Sequence, residues 1–321
     1  MKYIVSILII CCITATSCRS KQKQFITTLA IEDSEATNGQ MDTAVLVLKS
    51  RLESEQPQEV TVTANYNNRQ ITIRSAILDK DWIKSYLLKR GALLFYESYS
   101  IYDLANNLKE ADKLVASKIN NGKTDSVTNP LFTVFNIAPP YNDKYGEQVQ
   151  PYIGFVVDEK LPLFKKYMEL SKDVFPADAA IFFQEQPPTK NNQRYATVYF
   201  LKENESKFFA SNHIKQVSAE LDGKHPAVQM KFDAYGQRMF SRMTTKNINK
   251  AIAIVIDGNV LSAPKVMNPI EGGDMIIDGG FEKQQAMDIA TMLRSGYLPL
   301  KLSFKNMEEF RGHDGSKPSD P

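Results

Sequence analysis

Short runs of alternating apolar and polar residues, interleaved with stretches whose apolar residues recur every three to four positions, predict an α+β fold with antiparallel sheets. Turn chemistry supports this. Asn67-Asn68 and Asp222-Gly223 sit between alternating runs and Asp257-Gly258 follows an apolar one, where a hairpin needs residues that tolerate positive φ. The chain has 321 residues, 43% hydrophobic and 24% charged, which suffices for two sizeable cores and argues against global disorder.

Residues 25–120 are expected to form an N-terminal domain. Phe25–Ile31 reads as a strand, and Met41, Ala44, Val45, Leu48 and Leu52 fall on one helical face. Val60, Val62, Ala64 and Tyr66 alternate, and the chain turns at Asn67-Asn68 into Ile71 and Ile73. Asp79 is placed to cap a second helix through Trp82, Ile83, Tyr86 and Leu87, followed by a strand over 92–96. That order, β-α-β-β-α-β, is the ferredoxin-like, split βαβ pattern. A further helix is expected over about 104–119.

Residues 121–212 have a different texture, with Pro139-Pro140, Pro187-Pro188 and a polar tip at 189–194. They hold sixteen of the 32 aromatic residues, either as the core of a small unit or as a recognition surface. Residues 213–308 again read as α+β. Val217, Ala219 and Leu221 alternate, as do Val228, Met230 and Phe232, and a helix carries Tyr235, Met239, Phe240 and Met243. The apolar run 251–256 precedes Asp257-Gly258, and 274–277 offers another strand. The final helix sets Ala286, Ile289, Ala290 and Leu293 on one face and ends on Arg294 and Gly296, with Pro299 beyond. Leu300, Leu302 and Phe304 alternate as a closing strand, and residues 309–321 read as a disordered tail.

The formal net charge of +2, with no long basic run, gives nothing to recruit nucleic acid. A mean hydropathy of -0.32 argues against a chain with many membrane spans. The three cysteines, Cys11, Cys12 and Cys18, all lie near the N-terminus, so a disulfide scaffold and a Cys-ligated zinc site are excluded for the body of the chain. His213, His225 and His313 are scattered and read as solvated surface residues. Neither a metal nor a cofactor is expected.

The N-terminus reads as an address. Met1-Lys2 precedes an apolar run over 4–13, which as helix spans about 15 Å, too short for a hydrocarbon core of roughly 30 Å. Small residues follow and then Cys18, so residues 1–17 read as a secretory signal. This resembles the lipobox of bacterial lipoproteins, with Ala15 standing where that family usually has Leu. The resemblance implies lipidation of Cys18 and a polar tether over 18–24; the alternative is a plain secretory peptide with Cys18 as a leftover thiol. Without Asp directly after the cysteine, the expected location is the envelope, facing the periplasm, with the outer membrane favoured and the lipid as the only membrane attachment.

Residues 251–302 carry the most specific pattern: Ala253, Ile254, Val255, Asp257, Gly258, Val260, Ser262, Ala263 and Pro264, then Gly272, Gly273, Gly280, Phe281 and Ala286. They continue with Leu293, Arg294, Ser295, Gly296, Leu298 and Pro299. This block resembles the first large periplasmic domain of SecD, the membrane subunit that assists Sec-dependent protein export. The N-terminal part is similar more loosely, through Leu48, Arg51 and Leu52, residues 69–73 and residues 89–97. The resemblance implies a base with an inserted head subdomain, with 121–212 as the head-like region. The family's transmembrane helices and its Gly-rich segment after the first of them have no counterpart here, so the resemblance implies a polypeptide-facing domain and not a proton-driven motor.

No catalytic constellation emerges. Ser262 lies outside a G-x-S-x-G elbow, the Gly pairs lack the spacing and Lys of a P-loop, Asp257 reads as a turn residue, and Lys246 and Lys250 read as a solvated helix face. The resemblance to SecD then implies non-enzymatic binding of unfolded or translocating polypeptide, or of export components of the envelope. Contact is expected through exposed aromatics of 131–209 and open strand edges, with hinges near 120–130 and 210–213. The alternative is a structural or assembly lipoprotein that binds one folded envelope partner.

Overall fold

The computed structural model describes residues 23–310, apart from 56–59, 78, 121–127, 145, 187, 188, 190 and 224. The expected signal over 1–17, Cys18, His313 and the tail beyond Phe310 lie outside the described residues.

The strands are β1 (Phe25–Ile31), β2 (Thr61–Asn65), β3 (Gln70–Ser75), β4 (Leu93–Glu97), β5 (Asn136–Ile137), β6 (Tyr141–Asp143), β7 (Gly146–Gln148), β8 (Gly154–Val157) and β9 (Ala179–Glu185). They continue with β10 (Tyr195–Lys202), β11 (Phe208–Phe209), β12 (Ile214–Glu220), β13 (Ala227–Phe232), β14 (Ile252–Ile256), β15 (Asn259–Ser262), β16 (Asp274–Ile277) and β17 (Leu302–Glu309). The helices are α1 (Asn38–Glu55), α2 (Lys80–Trp82), α3 (Ile101–Asn120), α4 (Leu161–Leu170), α5 (Ala234–Lys246) and α6 (Lys283–Arg294).

The base is a four-stranded sheet in the order β17-β1-β3-β2, antiparallel throughout, which is the ferredoxin-like arrangement. Leu29, Ile71 and Ile73 meet Ala44, Leu48 and Leu52 of α1, because period 2 on the strands and period 3.6 on the helix aim both sets at one interface. A box in which Thr37 and Gln40 each bond the other's backbone N–H starts α1. Asp79 caps α2 by accepting from the N–H groups of Asp81 and Trp82, and the chain runs on as a π-helical turn, Ile83–Leu87, over the same core.

One strand trades places with the expected one. The 92–96 run, expected to close the base, instead pairs as β4 with β14, through Ile252↔Glu97 to Ile256↔Leu93, and β17 takes the fourth place in the base. Both runs carry the apolar residues a core strand needs, and long-range pairing chooses between them. The base is thus closed by the two ends of the described chain, with everything between 88 and about 298 inserted into it.

The insert holds an eight-stranded sheet in the order β11-β4-β14-β15-β9-β10-β8-β5, a three-stranded sheet β12-β13-β16, and the ribbon β6-β7. The pairings between these strands are antiparallel except β15 with β9, which meet at Asn259↔Phe183. Most aromatics of the middle region are core: Phe135, Phe164 and Phe200 are almost fully buried, whereas Tyr141 and Phe155 reach 44% and 37% exposure. The surface of exposed aromatics expected over 131–209 is therefore mostly packing.

Other expectations are corrected at the ends. Lys23 pairs with Glu309 at 3.1 Å and Gln24 accepts from Arg74 and from the Phe310 N–H, so 23–24 are tied to the base sheet and are not free tether. Glu309 and Phe310, expected in the tail, belong to that edge, with Arg74 over the Phe310 ring. Of the expected hinges, 121–127 fall outside the described residues. At 210–213, Ser211 Oγ donates to the Gly91 carbonyl and accepts from the Leu93 N–H, which fastens that segment to β4.

Candidate functional site

The motif residues divide between two places. The first is the joint where the chain leaves the base at 88–92 and returns at 295–299. Arg51, on the apolar face of α1, is fully buried there. Its guanidinium donates to the carbonyls of Leu87 at 3.0 Å, of Lys89, of Arg90 at 3.4 Å and of Gly296 at 3.3 Å, and its Nε to Ser295 Oγ at 3.0 Å. Burial without a carboxylate partner pushes its pKa down to about 10. Arg90 answers across the joint, donating to the carbonyls of Leu298 and Pro299, and the Leu298 N–H returns a bond to the Arg90 carbonyl.

Asp257 is a turn residue, as expected, with φ 49° beside Gly258 at φ 82°. It also fastens the joint, because its carboxylate accepts from the N–H groups of Gly91 and Ala92 at 3.0 and 2.8 Å. Ser295 and Gly296, with φ 92° at the glycine, end α6 and face Arg51. Arg294 is exposed on α6. Gly280, at φ 68°, takes a bond from its N–H to Asp278, and Phe281 packs on the core just before α6.

The second place is a groove of about 580 Å³ between β16, β14 and the loop 264–270. Phe95 and Phe240 line its depth with ring centroids 5.0 Å apart, and Ile252, Val266, Ile270 and Met275 form its apolar walls. Two apolar residues stand out at its rim, Met267 at 58% and Ile276 at 56% exposure. Among the described residues β16 is the last strand of its sheet, bonded to β13, so one row of its backbone N–H and C=O groups is unclaimed by another described strand.

The motif builds the groove's far wall. After Ser262 and Ala263 the carbonyl of Pro264 accepts from the Ile252 N–H, and Val266 exchanges bonds with Asn249 and Lys250. The Gly272-Gly273 turn brings the loop back to β16. Gly273 has φ 73°, its carbonyl accepts from the Phe232 N–H, and a Cβ there would stand 3.1 Å from Gln237 Cβ. Gln237 in turn donates to the Glu271 carbonyl at 2.6 Å.

Beneath the groove region, Glu97 is 5% exposed and pairs with Lys246 at 2.8 Å and Lys202 at 3.4 Å. Burial raises its pKa, but the bonds from Lys246 and Asn247 and the two lysine charges outweigh that and hold the carboxyl below its ordinary value. Lys246 is thus an ion-pair partner and not merely part of a solvated face. His213 likewise departs from the expected surface histidine: its Nδ1 lies 3.1 Å from Asp233, and its ring lies 4.6 Å from that of Tyr235. Among the described residues no group of three His, Cys, Asp or Glu is placed to hold a metal, and no helix is long and apolar enough to cross a membrane.

A joint that fastens an inserted α+β body to a ferredoxin-like base, with an apolar groove beside a free strand edge, defines a two-part module. Residues 183–300 match the family model described as SecDF, P1 head subdomain. The matched segment starts in the aromatic-rich region and covers most of the C-terminal one. The SecD protein translocase subunit of Magnetococcus marinus is 28% identical over 213 residues, 61% of this chain and 40% of that protein. The SecD of Acetobacter pasteurianus is 49% identical over 77 residues, 24% of this chain and 15% of that protein. The chain thus spans 40% or less of the length of these relatives. A crystal structure of SecDF in a super-membrane-facing form is similar in fold, with a TM-score of 0.53 and 19% identity over 90% of this chain and 30% of that one. The likeness to SecD expected from the 251–302 motif is therefore shown in sequence, and the α+β, base-and-insert architecture in fold.

Proposed function

We propose that the chain is a non-enzymatic accessory of protein export in the bacterial envelope, and that the groove beside β16 takes extended, unfolded polypeptide. One observation carries the reading: within the segment similar to the SecDF P1 head, a strand edge with unclaimed backbone groups borders an apolar groove with Met267 and Ile276 at its rim. An incoming strand would satisfy the edge with backbone bonds, which are indifferent to sequence, while its alternate side chains enter the groove. Such a mode suits a client defined by being unfolded. Export components of the envelope are the expected neighbours.

The test is a titration of a fluorescent, uncharged, amide-capped apolar peptide with the purified chain, read by anisotropy. Saturable binding that Ile276→Lys weakens at least about fivefold supports the reading. Absence of binding, or binding that Ile276→Lys leaves unchanged, defeats it. Recovery of one folded partner from in-cell crosslinking at position 276, with no peptide binding, would favour an assembly role.

From the sequence we further propose that Cys18 is lipidated and anchors the chain, in the outer membrane since no Asp follows it. Cys18→Ser is expected to abolish palmitate labelling and release the protein from the membrane fraction. Retention of both label and membrane association would refute the anchor.

A further inference from the structure

The segment 263–266 has a second side. There lies a cleft of about 480 Å³ lined by Lys202, Lys250 and Lys265, with Ser98, Tyr99 and Tyr141 in its walls. Lys265 lines both this cleft and the apolar groove, so the two are neighbours across this segment.

The charges here are unbalanced. Lys202 is held by Glu97 and lies 5.3 Å from the Tyr99 ring centroid. Lys265 donates to Gln148 at 2.5 Å, a neutral acceptor. Among the described residues no carboxylate lies within ion-pair distance of Lys250 or Lys265. The carboxylate in the lining, Asp103, accepts from the N–H and Oγ of Ser100. Lys250 and Lys265 against the single carboxylate Asp103 leave the cleft net positive, which favours an anionic oxygen group there.

We infer that this cleft receives a carboxylate carried by the same polypeptide whose apolar stretch lies in the neighbouring groove. The inference rests on the reading above and sharpens it: the preferred client segment is an apolar run with an acidic group next to it. A lysine suits this role, since its ammonium is a point charge with three rotatable donors and sets no demand on the carboxylate's orientation. The carboxylate could come from an Asp or Glu side chain or from a free chain end, and the chemistry at the lysines is the same.

The experiment uses the whole chain and three labelled peptides sharing one apolar core: neutral and amide-capped, Glu-flanked and amide-capped, and neutral with a free C-terminal carboxylate. At low salt the Glu-flanked peptide is expected to bind about fivefold tighter than the neutral one. That advantage is expected to vanish in the Lys250→Gln/Lys265→Gln variant and to shrink as salt shortens the Debye length to about 8 Å at physiological strength. The acidic advantage is read as a ratio to the neutral peptide within each protein, because Lys265 also lines the groove. Both lysines are exposed, and an unchanged thermal melt confirms that the variant folds. Preference for the third peptide assigns the cleft to a chain terminus; preference for the second assigns it to side chains. Equal affinity for all three, or an acidic preference that survives in the variant, overturns the inference and leaves the groove standing. Binding of none overturns both. Tighter binding of a single-stranded oligonucleotide than of any peptide, lost in the same variant, would overturn it in favour of a phosphate ligand.

Discussion

The joint and the groove differ in how their polar groups are spent. At the joint, Arg51, Arg90 and Asp257 engage the backbone of both chain crossings, and the guanidinium of Arg51 alone reaches four carbonyls and a hydroxyl. At the groove, the β16 edge is open and two large apolar side chains are more than half exposed. Both places are built from the same sequence motif. A motif can therefore mark a fastening as readily as a contact surface, and unspent bonding capacity tells the two apart.

The largest expected effect comes from undoing the fastening. Arg51→Met fills the space but leaves several inward-facing carbonyls without a donor, and should cost about 3 kcal/mol, read from the midpoint of urea unfolding. A loss below about 1 kcal/mol would mean that water replaces the guanidinium and that the joint is looser than its bonds suggest. Next comes the loop that forms the groove's wall. Gly273→Ala forces a side chain into the left-handed region and against Gln237, and is expected to cost about 1–2 kcal/mol. It should also weaken peptide binding, because the wall moves.

Glu97 sharpens the comparison through pH. Its folded pKa is lowered, so its contribution is fully present above the ordinary value of 4.5 and is lost as pH falls through the lower folded value. Glu97→Gln should therefore be the less stable protein at pH 7, with the gap to the parent closing as pH drops below about 4.5. A gap that widens in acid would reverse the assignment. The smallest stability effect is expected at the groove rim, where Ile276→Lys should change unfolding by less than about 0.5 kcal/mol while reducing peptide binding. Equal losses in both measurements would erase the distinction between joint and groove.

Much of this molecule was legible in its residues. The strand at 274–277 matches β16 to the residue, and the spacings over 41–52, 235–243 and 286–293 fall within α1, α5 and α6. Local periodicity suffices there, because each element buries one face and its sequence records which. Arg51 was harder to see. It falls in register with Leu48 and Leu52 on a stripe otherwise apolar, and a buried charge at such a position is itself the available signal. Glu97 and Lys246 left no such trace, being 149 positions apart.

The sequence alone determined the α+β class, most elements outside 121–212 and the SecD-like motif, since these rest on side-chain periodicity, turn residues and residue identity within short windows. Tertiary structure alone decided which strand closes the base, which aromatics became core, and where the free edge of β16 meets an apolar groove. Those outcomes depend on pairings between residues far apart in the chain, where the choice between β4 and β17 is made by the surfaces each one finds to cover.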